Sequence, residues 1–178
     1  MKQKINFWNG KDANLENSKT LLRNLFDIEC IVNALPYYTK SSKQRNKVGS
    51  LVFDPVKTNN FFKENLRGMG WKPNVKIPSS FRHMGKDVDF LKDGIVVEVQ
   101  FSNYPFLLNN IIRTALFKNS GLELDNRVIE ELVIITKTKD IPSANSSLYY
   151  EQAKNQIDSI VEYNMVDLPI TLIGLHNE

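Results

Sequence analysis

The apolar positions in the N-terminal part of the chain follow a helical rhythm. Between Leu15 and Leu35 they recur at spacings of three and four residues, which places them on one face of an α-helix. The positions that define this face are Leu21, Leu22, Leu25, Phe26, Ile28, Ile31, Val32 and Leu35. We predict a helix that ends before Pro36, because proline lacks the N–H that a helix interior needs.

Polar stretches on either side of a second helix follow. Residues 40–47 are polar and basic, and this stretch is either a solvated connector or an arm that contacts phosphates. Asp54-Pro55 combines an N-cap residue with a proline in the first turn, so we predict a helix from there to about Arg67. Two glycines then favour the end of the helix, and residues 71–86 are predicted to be mostly loop.

The second half of the chain mixes strand-like and helical segments. Short apolar runs predict strands at 88–91, 95–101, 132–136 and 168–175. Helical spacing predicts helices at 105–117 and 148–162, the second capped by Ser146 or Ser147. Pro169 implies that the last strand lies at a sheet edge or begins there. This order of elements predicts an α/β (α+β) fold, a mixed central β-sheet flanked by helices.

Asp93-Gly94 joins the first two predicted strands and favours a two-residue hairpin turn, in which both residues have positive φ. Counting outward from this turn gives the pairs Lys92–Ile95, Leu91–Val96, Phe90–Val97, Asp89–Glu98 and Asp87–Gln100. Alternation then places the four residues of the last two pairs on one face. The opposite face is apolar and suits a core; its residues are Val88, Phe90, Val97, Val99 and Phe101.

Two carboxylates in a directly opposed pair lie roughly 4.5–5.5 Å apart at Cβ and repel each other. A divalent cation held between Asp89 and Glu98 would offset that repulsion. Oxygen ligands suit Mg²⁺, and the backbone carbonyl of Val99 is well placed in sequence to add another. The alternative is that the acidic residues are solvent-facing polar residues on an exposed hairpin.

Composition limits the class of protein but does not identify it. The chain has 178 residues, 42% hydrophobic and 24% charged, which suits a single globular domain. Its net charge of +3 permits a nucleic-acid partner without requiring one. The single cysteine, Cys30, fits a small buried hydrophobe in a reducing cytoplasm. We expect no membrane span, signal peptide, zinc cluster or nucleotide-binding loop.

Asp89 followed by Glu98-Val-Gln100 resembles the active-site hairpin of the PD-(D/E)xK nuclease superfamily. Most members have lysine at the last position, and Gln100 is a departure typical of the branch of BglII-type restriction endonucleases. Longer blocks are similar to that family as well: Lys47-Val-Gly-Ser-Leu-Val-Phe-Asp-Pro55, Val99-Gln-Phe-Ser-Asn-Tyr-Pro-Phe-Leu-Leu-Asn-Asn110, Ile134-Ile-Thr-Lys137, Asn145-Ser-Ser-Leu-Tyr-Tyr-Glu-Gln152 and Glu162-Tyr-Asn164.

The resemblance implies a restriction-endonuclease-like core and Mg²⁺-dependent hydrolysis of both strands of double-stranded DNA. The implied sites are palindromes around GATC, such as AGATCT or RGATCY. By matching position, Asp89 and the Val99 carbonyl are the implied metal ligands, and Glu98 positions or activates water beside the metal. Gln100 takes the usual lysine place. Glutamine can orient water or phosphate by hydrogen bonds, but it cannot carry a positive charge or transfer a proton.

The resemblance also implies residues that read DNA. Asn can pair with adenine and Arg with guanine in the major groove, while Ser is adaptable. The implied residues are Ser102, Asn103, Arg113, Asn145 and Ser146. Each has a plainer interpretation, since the first two could cap the helix at Pro105, the last two could cap the next helix, and Arg113 could be a surface helix residue.

A palindromic DNA site matches a two-fold protein, so we expect a homodimer that pairs through helices beside the active site. Residues that either face the partner or belong to the core are Phe106, Leu107, Asn110, Ile111 and Thr114, with Tyr150, Ala153 and Ile157. Longer family members continue past the position that matches Leu175. We therefore expect a single endonuclease domain over 1–178 that lacks most of that C-terminal extension.

Three hypotheses follow in order of preference. The first is a type II restriction endonuclease in a prokaryotic cytoplasm. The second is a catalytically weak DNA-binding protein on a nuclease scaffold, and the third is an interaction protein with no nucleic-acid role. Digestion of DNA with Mg²⁺ separates the first two, and salt-dependent DNA affinity separates both from the third.

Overall fold

The computed structural model describes residues 1–9, 19–144 and 146–177. The helices of this part of the chain are α1 (Lys19–Ala34), α2 (Pro55–Gly68), α3 (Pro105–Asn119) and α4 (Tyr150–Glu162). The strands are β1 (Lys2–Trp8), β2 (Thr39–Ser41), β3 (Leu51–Phe53), β4 (Lys72–Lys76), β5 (Asp87–Lys92), β6 (Ile95–Val99), β7 (Glu123–Leu124), β8 (Arg127–Val128), β9 (Glu131–Lys137) and β10 (Ile170–His176). Short 3₁₀ helices occupy Arg45–Lys47 and Ser79–Met84.

Six strands form one mixed sheet in the order β1-β10-β9-β6-β5-β4. The pairs β6–β9 and β9–β10 are parallel, whereas β1–β10, β5–β6 and β4–β5 are antiparallel. The predicted mixed sheet flanked by helices is therefore confirmed. Parallel strands at the centre of a sheet are buried on both faces, which explains why all residues of β6 are buried.

The sheet separates two apolar cores. Residues of α1 and α2 pack with Phe90, Val97 and Val133 on one face of the sheet. Residues of α3 and α4 pack with Val96 and Leu132 on the other face. The apolar sides of the helices cover the sheet, but Leu22 and Phe26, which the spacing placed on the apolar side of α1, are 49% and 63% exposed.

A capping residue explains where α2 begins, and the absence of such caps corrects the predictions for α3 and α4. Asp54 caps α2 as predicted, because its side chain accepts the N–H groups of Val56 and Lys57 at 3.1 and 3.3 Å. In contrast, α3 and α4 begin without a side-chain cap, and their N-cap residues are Tyr104 and Tyr149. The cap interpretations of Ser102, Asn103, Ser146 and Ser147 are therefore wrong, since these side chains bind elsewhere.

One prediction about strands is wrong, and besides β1 the short strands β2, β3, β7 and β8 were not predicted. The segment 71–86, predicted as mostly loop, contains β4, and β1 was not predicted at all. Both strands lie at sheet edges, where pairing with β5 and β10 determines their extended form. Pro169 was predicted either to lie in a strand at a sheet edge or to mark the beginning of the last strand. Strand β10 lies inside the sheet and begins directly after Pro169, so the second alternative is correct.

The Asp93-Gly94 turn has the predicted conformation, with φ of 51° at Asp93 and 80° at Gly94. The β5–β6 register is also as predicted for its first three pairs, from Lys92–Ile95 to Phe90–Val97. A Cβ on Gly94 would lie 2.6 Å from the carbonyl oxygen of Val128, so the turn needs glycine for space as well as for φ.

Strand alternation breaks in the middle of β5. Val88 packs in the core of α3 and α4, whereas Phe90 packs in the core of α1 and α2, so the prediction that they share a face is wrong. The β4–β5 register omits the pair of Asn74 and Asp89, and Asn74 has a positive φ of 50°. This local irregularity changes the face to which the side chains of β5 point.

The helices of the described residues are all too short or too polar to cross a membrane.

Candidate active site

Asp89 lies where β5 and β6 separate. The β5–β6 ladder ends at Phe90 and Val97, and Oδ2 of Asp89 then accepts the backbone N–H of Val99 at 2.8 Å. The side chain of Asp89 therefore binds the backbone of the neighbouring strand, β6. Burial raises the pKa of Asp89, while the Val99 N–H and the charge of Arg113 oppose that rise.

Glu98 is a buried carboxylate with one cationic partner. It is 3% exposed, and its Oε1 accepts a hydrogen bond from Nη2 of Arg113, which is itself 7% exposed. Burial, reinforced by the nearby charge of Asp89, raises the pKa of Glu98 to about 8 despite the arginine. The charge of Asp89 is near enough to raise the pKa of Glu98, but the predicted pairs Asp89–Glu98 and Asp87–Gln100 are absent from the β5–β6 ladder, which ends at Phe90–Val97.

The guanidinium of Arg113 is enclosed by the chain. A Cβ at Gly85 would lie 2.6 Å from Nη1 of Arg113, so glycine leaves room for this group. Its Nε is buried and has no hydrogen-bond partner among the described residues. The interpretation of Arg113 as a surface helix residue is therefore wrong, and its predicted contact with DNA stays a prediction.

Gln100 is the first residue after β6, and both the nitrogen and the oxygen of its side-chain amide form hydrogen bonds. Its Nε2 donates to Oγ of Ser102 at 2.6 Å, and its Oε1 accepts from Nδ2 of Asn110 at 3.2 Å. Asn110 is buried in α3, and its amide therefore fixes the orientation of the Gln100 amide.

The donor set of this site fits a divalent cation. Asp89 uses Oδ2 and Glu98 uses Oε1 in hydrogen bonds, which leaves Oδ1 and Oε2 without such partners in the described residues. Within those residues no group of three or more His, Cys, Asp or Glu side chains gathers as a metal site. The available side-chain ligands are therefore two carboxylates, the number that Mg²⁺ typically takes alongside water and phosphate.

The remaining predicted DNA-reading residues gather beyond the end of β6. Ser102 and Asn103 are exposed, and Ser146 and Ser147 approach them from the loop before α4. Oγ of Ser147 and Oδ1 of Asn103 are 3.3 Å apart, and the carbonyl of Ser102 accepts the hydroxyl of Ser146 at 3.0 Å. Asn145 lies outside the described residues.

Sequence reasoning missed the polar residues beside Asp89, which are Lys63 and Asn74 together with Asn59 and Asn60 of α2. A cavity of about 210 Å³ is lined by Asp89, Val99, Lys63 from α2 and Asn74 from β4. Asn74 could have been suspected, since asparagine is among the few residues that adopt positive φ readily. Nothing in the sequence links Lys63 to Asp89, because only the packing of α2 on the sheet brings them together.

A larger apolar groove of about 850 Å³ lies between α3 and α4 on the outside of the fold. Its lining includes Ile112, Leu116 and Met165, which are 54%, 37% and 71% exposed. The residues named in the sequence as partner-facing or core are core, with the exception of Phe106, which is 54% exposed. The exposed apolar residues of α3 that line this groove, Ile112 and Leu116, were not among the residues named from the sequence.

Comparison with known proteins gives consistent results. The family model described as restriction endonuclease BglII/BglIII matches residues 8–175. The type II restriction enzyme BglII of Bacillus subtilis is 50% identical over 149 residues, which cover 84% of this chain and 67% of that enzyme.

Solved structures agree with the sequence comparison. The crystal structure of restriction endonuclease BglII complexed with a DNA 16-mer matches with a TM-score of 0.91 and 46% identity, covering all of this chain and 78% of that one. The crystal structure of free BglII matches with a TM-score of 0.74 and 43% identity, covering all of this chain and 81% of that one. The chain therefore belongs to the BglII/BglIII family of restriction endonucleases, enzymes that cut DNA at specific sites.

Proposed function

We propose that this restriction endonuclease hydrolyses both strands of double-stranded DNA at a GATC-centred palindrome, as a Mg²⁺-dependent homodimer. The observation that carries the proposal is the pair of carboxylates at the end of the hairpin, Asp89 and Glu98, each with one oxygen engaged by the protein and one left for a ligand.

Asp89, Glu98 and the carbonyl of Val99 would hold the metal. When bound, Mg²⁺ supplies Lewis-acid chemistry, which stabilises the charge of a phosphodiester transition state and lowers the pKa of water. Asp89 is kept in place by the Val99 N–H, so its free oxygen has a fixed direction. Preorganised charge of this kind needs little rearrangement during the reaction.

Glu98 would accept a proton from, or orient, the attacking water. A general base works best when its pKa is close to the working pH, and burial places the pKa of Glu98 at about 8. Arg113 holds this carboxylate by its ion pair and stabilises its charged form. Gln100 orients water or phosphate through its amide, which Asn110 and Ser102 fix.

Ser102, Asn103, Asn145 and Ser146 would read base edges, because three of these four residues gather on the surface beyond the catalytic strand. The basic segment 40–47 would be an arm that contacts phosphates rather than a solvated connector, the two interpretations that its sequence left open. Lys47 supports this placement, since its Nζ donates to the carbonyl of Ser143, close to the reading residues, at 3.1 Å.

A second copy of the chain would cover the groove between α3 and α4. The exposed apolar side chains of Ile112, Leu116 and Met165 form a surface that a soluble monomer seldom keeps open to water. A two-fold axis through this face would present two equivalent active sites to a palindrome.

The experiment is digestion of DNA of known sequence with Mg²⁺, followed by sequencing of the fragment ends. The proposal predicts discrete fragments that end within GATC-centred palindromes. It also predicts that Glu98→Ala abolishes cutting without loss of binding. Sequence-independent degradation would contradict it, as would binding to these palindromes without cutting, which is the outcome that a catalytically weak DNA-binding protein predicts.

A further inference from the structure

Lys137 is a buried lysine in a position that the proposed reaction does not use. It is the last residue of the central strand β9 and is fully buried. No ion pair of the described residues involves it. A buried ammonium without a carboxylate is costly, so its retention calls for a physical reason.

The ammonium of Lys137 is directed to the loop that precedes α4. Its Nζ donates to Oγ of Ser146 at 2.6 Å and to the carbonyl of Leu148 at 3.0 Å. It also lies 4.5 Å from the ring centroid of Tyr149, a cation–π contact. Three neighbouring residues of one loop are therefore held by one buried cation. Although burial lowers the pKa of Lys137 to about 8, the charged donor form still predominates at neutral pH.

These contacts limit what the Ser146 hydroxyl can do. Its Oγ also lies 2.7 Å from the carbonyl oxygen of Phe101 and 3.0 Å from that of Ser102. A hydroxyl has one hydrogen and two lone pairs. The hydrogen is committed to the two carbonyls and one lone pair to Lys137, so Ser146 has a single acceptor position left. Ser146 itself is partly exposed.

The same contacts connect the loop to the catalytic strand. The carbonyls of Phe101 and Ser102 directly follow Gln100, and Oγ of Ser102 accepts from the Gln100 amide at 2.6 Å. The backbone N–H of Leu148 also donates to the carbonyl of Ser102, at 3.1 Å. Lys137 is therefore linked to Gln100 through Ser146 and Ser102, where the carbonyl of Ser102 bonds Ser146 and its Oγ bonds Gln100.

We infer that Lys137 is a specificity-determining positioning residue, which holds the Oγ of Ser146 in place as a hydrogen-bond acceptor toward DNA while the two carbonyls hold its hydrogen. An acceptor in the major groove selects an exocyclic amino group, that of adenine or cytosine, and rejects the keto groups of guanine and thymine. The inference rests on the proposed function, because it takes Ser146 to face a base.

The test uses full-length protein and duplexes that contain the natural site or a site lacking one amino group. Purine replaces adenine, or pyrimidin-2-one replaces cytosine, at one position of both half-sites. Binding constants are measured with Ca²⁺ and cleavage rates with Mg²⁺, so that recognition and chemistry are read separately. The variants are Lys137→Met, which removes the ammonium at similar volume, and Ser146→Ala.

For the wild type, removal of the amino group at one of these positions should weaken binding roughly fivefold per half-site, the scale of one hydrogen bond. Ser146→Ala should abolish that discrimination. Lys137→Met should reduce it, since Ser146 then loses the donor that holds its oxygen in place. Lys139→Met, the loss of an exposed lysine just after the same strand, is the control and should leave the discrimination unchanged.

Melting curves establish that each variant folds. If Lys137→Met does not fold, Lys137→Arg, which keeps the charge and the donors, is used in its place. Retained discrimination in Lys137→Arg supports the inference. A uniform loss of affinity in Lys137→Met and Ser146→Ala, with discrimination unchanged, overturns it, because Lys137 would then support only the fold. Failure of the wild type to cut any duplex that it binds would instead contradict the proposed function.

Discussion

Replacing Glu98 by glutamine should change how the stability of the metal-free protein depends on pH. Glutamine keeps the shape of the side chain and removes the charge, while Arg113 remains in place. The pKa of Glu98 is raised from an ordinary value of 4.5 to about 8, chiefly by burial and then by the charge of Asp89. The folded protein therefore holds a proton on Glu98 at pH values where the unfolded chain has already lost it.

The sign and the size of the effect follow from this difference. Stability from a group whose folded pKa is raised is fully present below the unfolded pKa and is lost as pH rises through the folded pKa. Each pKa unit corresponds to about 1.4 kcal/mol, so the loss reaches about 5 kcal/mol between pH 4.5 and pH 8. Unfolding is conveniently measured between pH 6 and pH 8. Over that range Glu98 should lower the free energy of unfolding by about 3 kcal/mol.

Urea unfolding in EDTA at pH 6, 7, 8 and 9, followed by tryptophan fluorescence, measures the effect. The difference between wild type and Glu98→Gln isolates Glu98, because all other titrating groups remain in both proteins. Glu131→Gln is a matched control, since burial raises the pKa of Glu131 only to about 7 and its smaller difference should end near that pH. Parallel stability curves for wild type and Glu98→Gln across this range would refute the reasoning.

Three further predictions concern other parts of the molecule. Arg113→Met removes the cation that lowers the pKa of Glu98, so kcat/KM at pH 7 should fall at least roughly tenfold and recover in part at pH 9; equal losses at both pH values would contradict this. Ile112→Glu places a charge in the groove between α3 and α4 and should convert dimers to monomers in sedimentation velocity, whereas Phe26→Glu on the exposed face of α1 should not. Gly94→Ala forces a side chain onto a positive φ and into contact with a carbonyl oxygen, and should lower the free energy of unfolding by about 1–3 kcal/mol in urea titration; an unchanged value would contradict the role of the turn.

Local sequence signals predicted the features that local chemistry determines. Asp93-Gly94 predicted the turn and the register of its first three pairs, because positive φ at both positions leaves few alternatives. Asp54-Pro55 predicted the start of α2 for a similar reason, since the cap contacts lie within three residues. Beyond Phe90–Val97 the count no longer holds, because Asp89 leaves the ladder and accepts the N–H of Val99 with its side chain.

Features that depend on distant residues were not predictable in this way. Strand β1 is rich in polar residues, and it is extended because it pairs with β10 at the other end of the chain. The break in alternation at Asp89 depends on Asn74 in the neighbouring strand. The helical position of Arg113 gave no sign of its ion pair with Glu98, which forms only when α3 packs on the sheet.

The central claim is that the carboxylate of Asp89 holds the metal at which DNA is cut. Single-turnover cleavage of a duplex bearing the recognised palindrome, by wild type and Asp89→Asn at saturating enzyme, tests it most directly, with binding measured separately in Ca²⁺. We predict that Asp89→Asn binds the duplex but cuts it at least roughly a hundredfold more slowly at every Mg²⁺ concentration. Cleavage by Asp89→Asn at the wild-type rate would contradict this account of the active site.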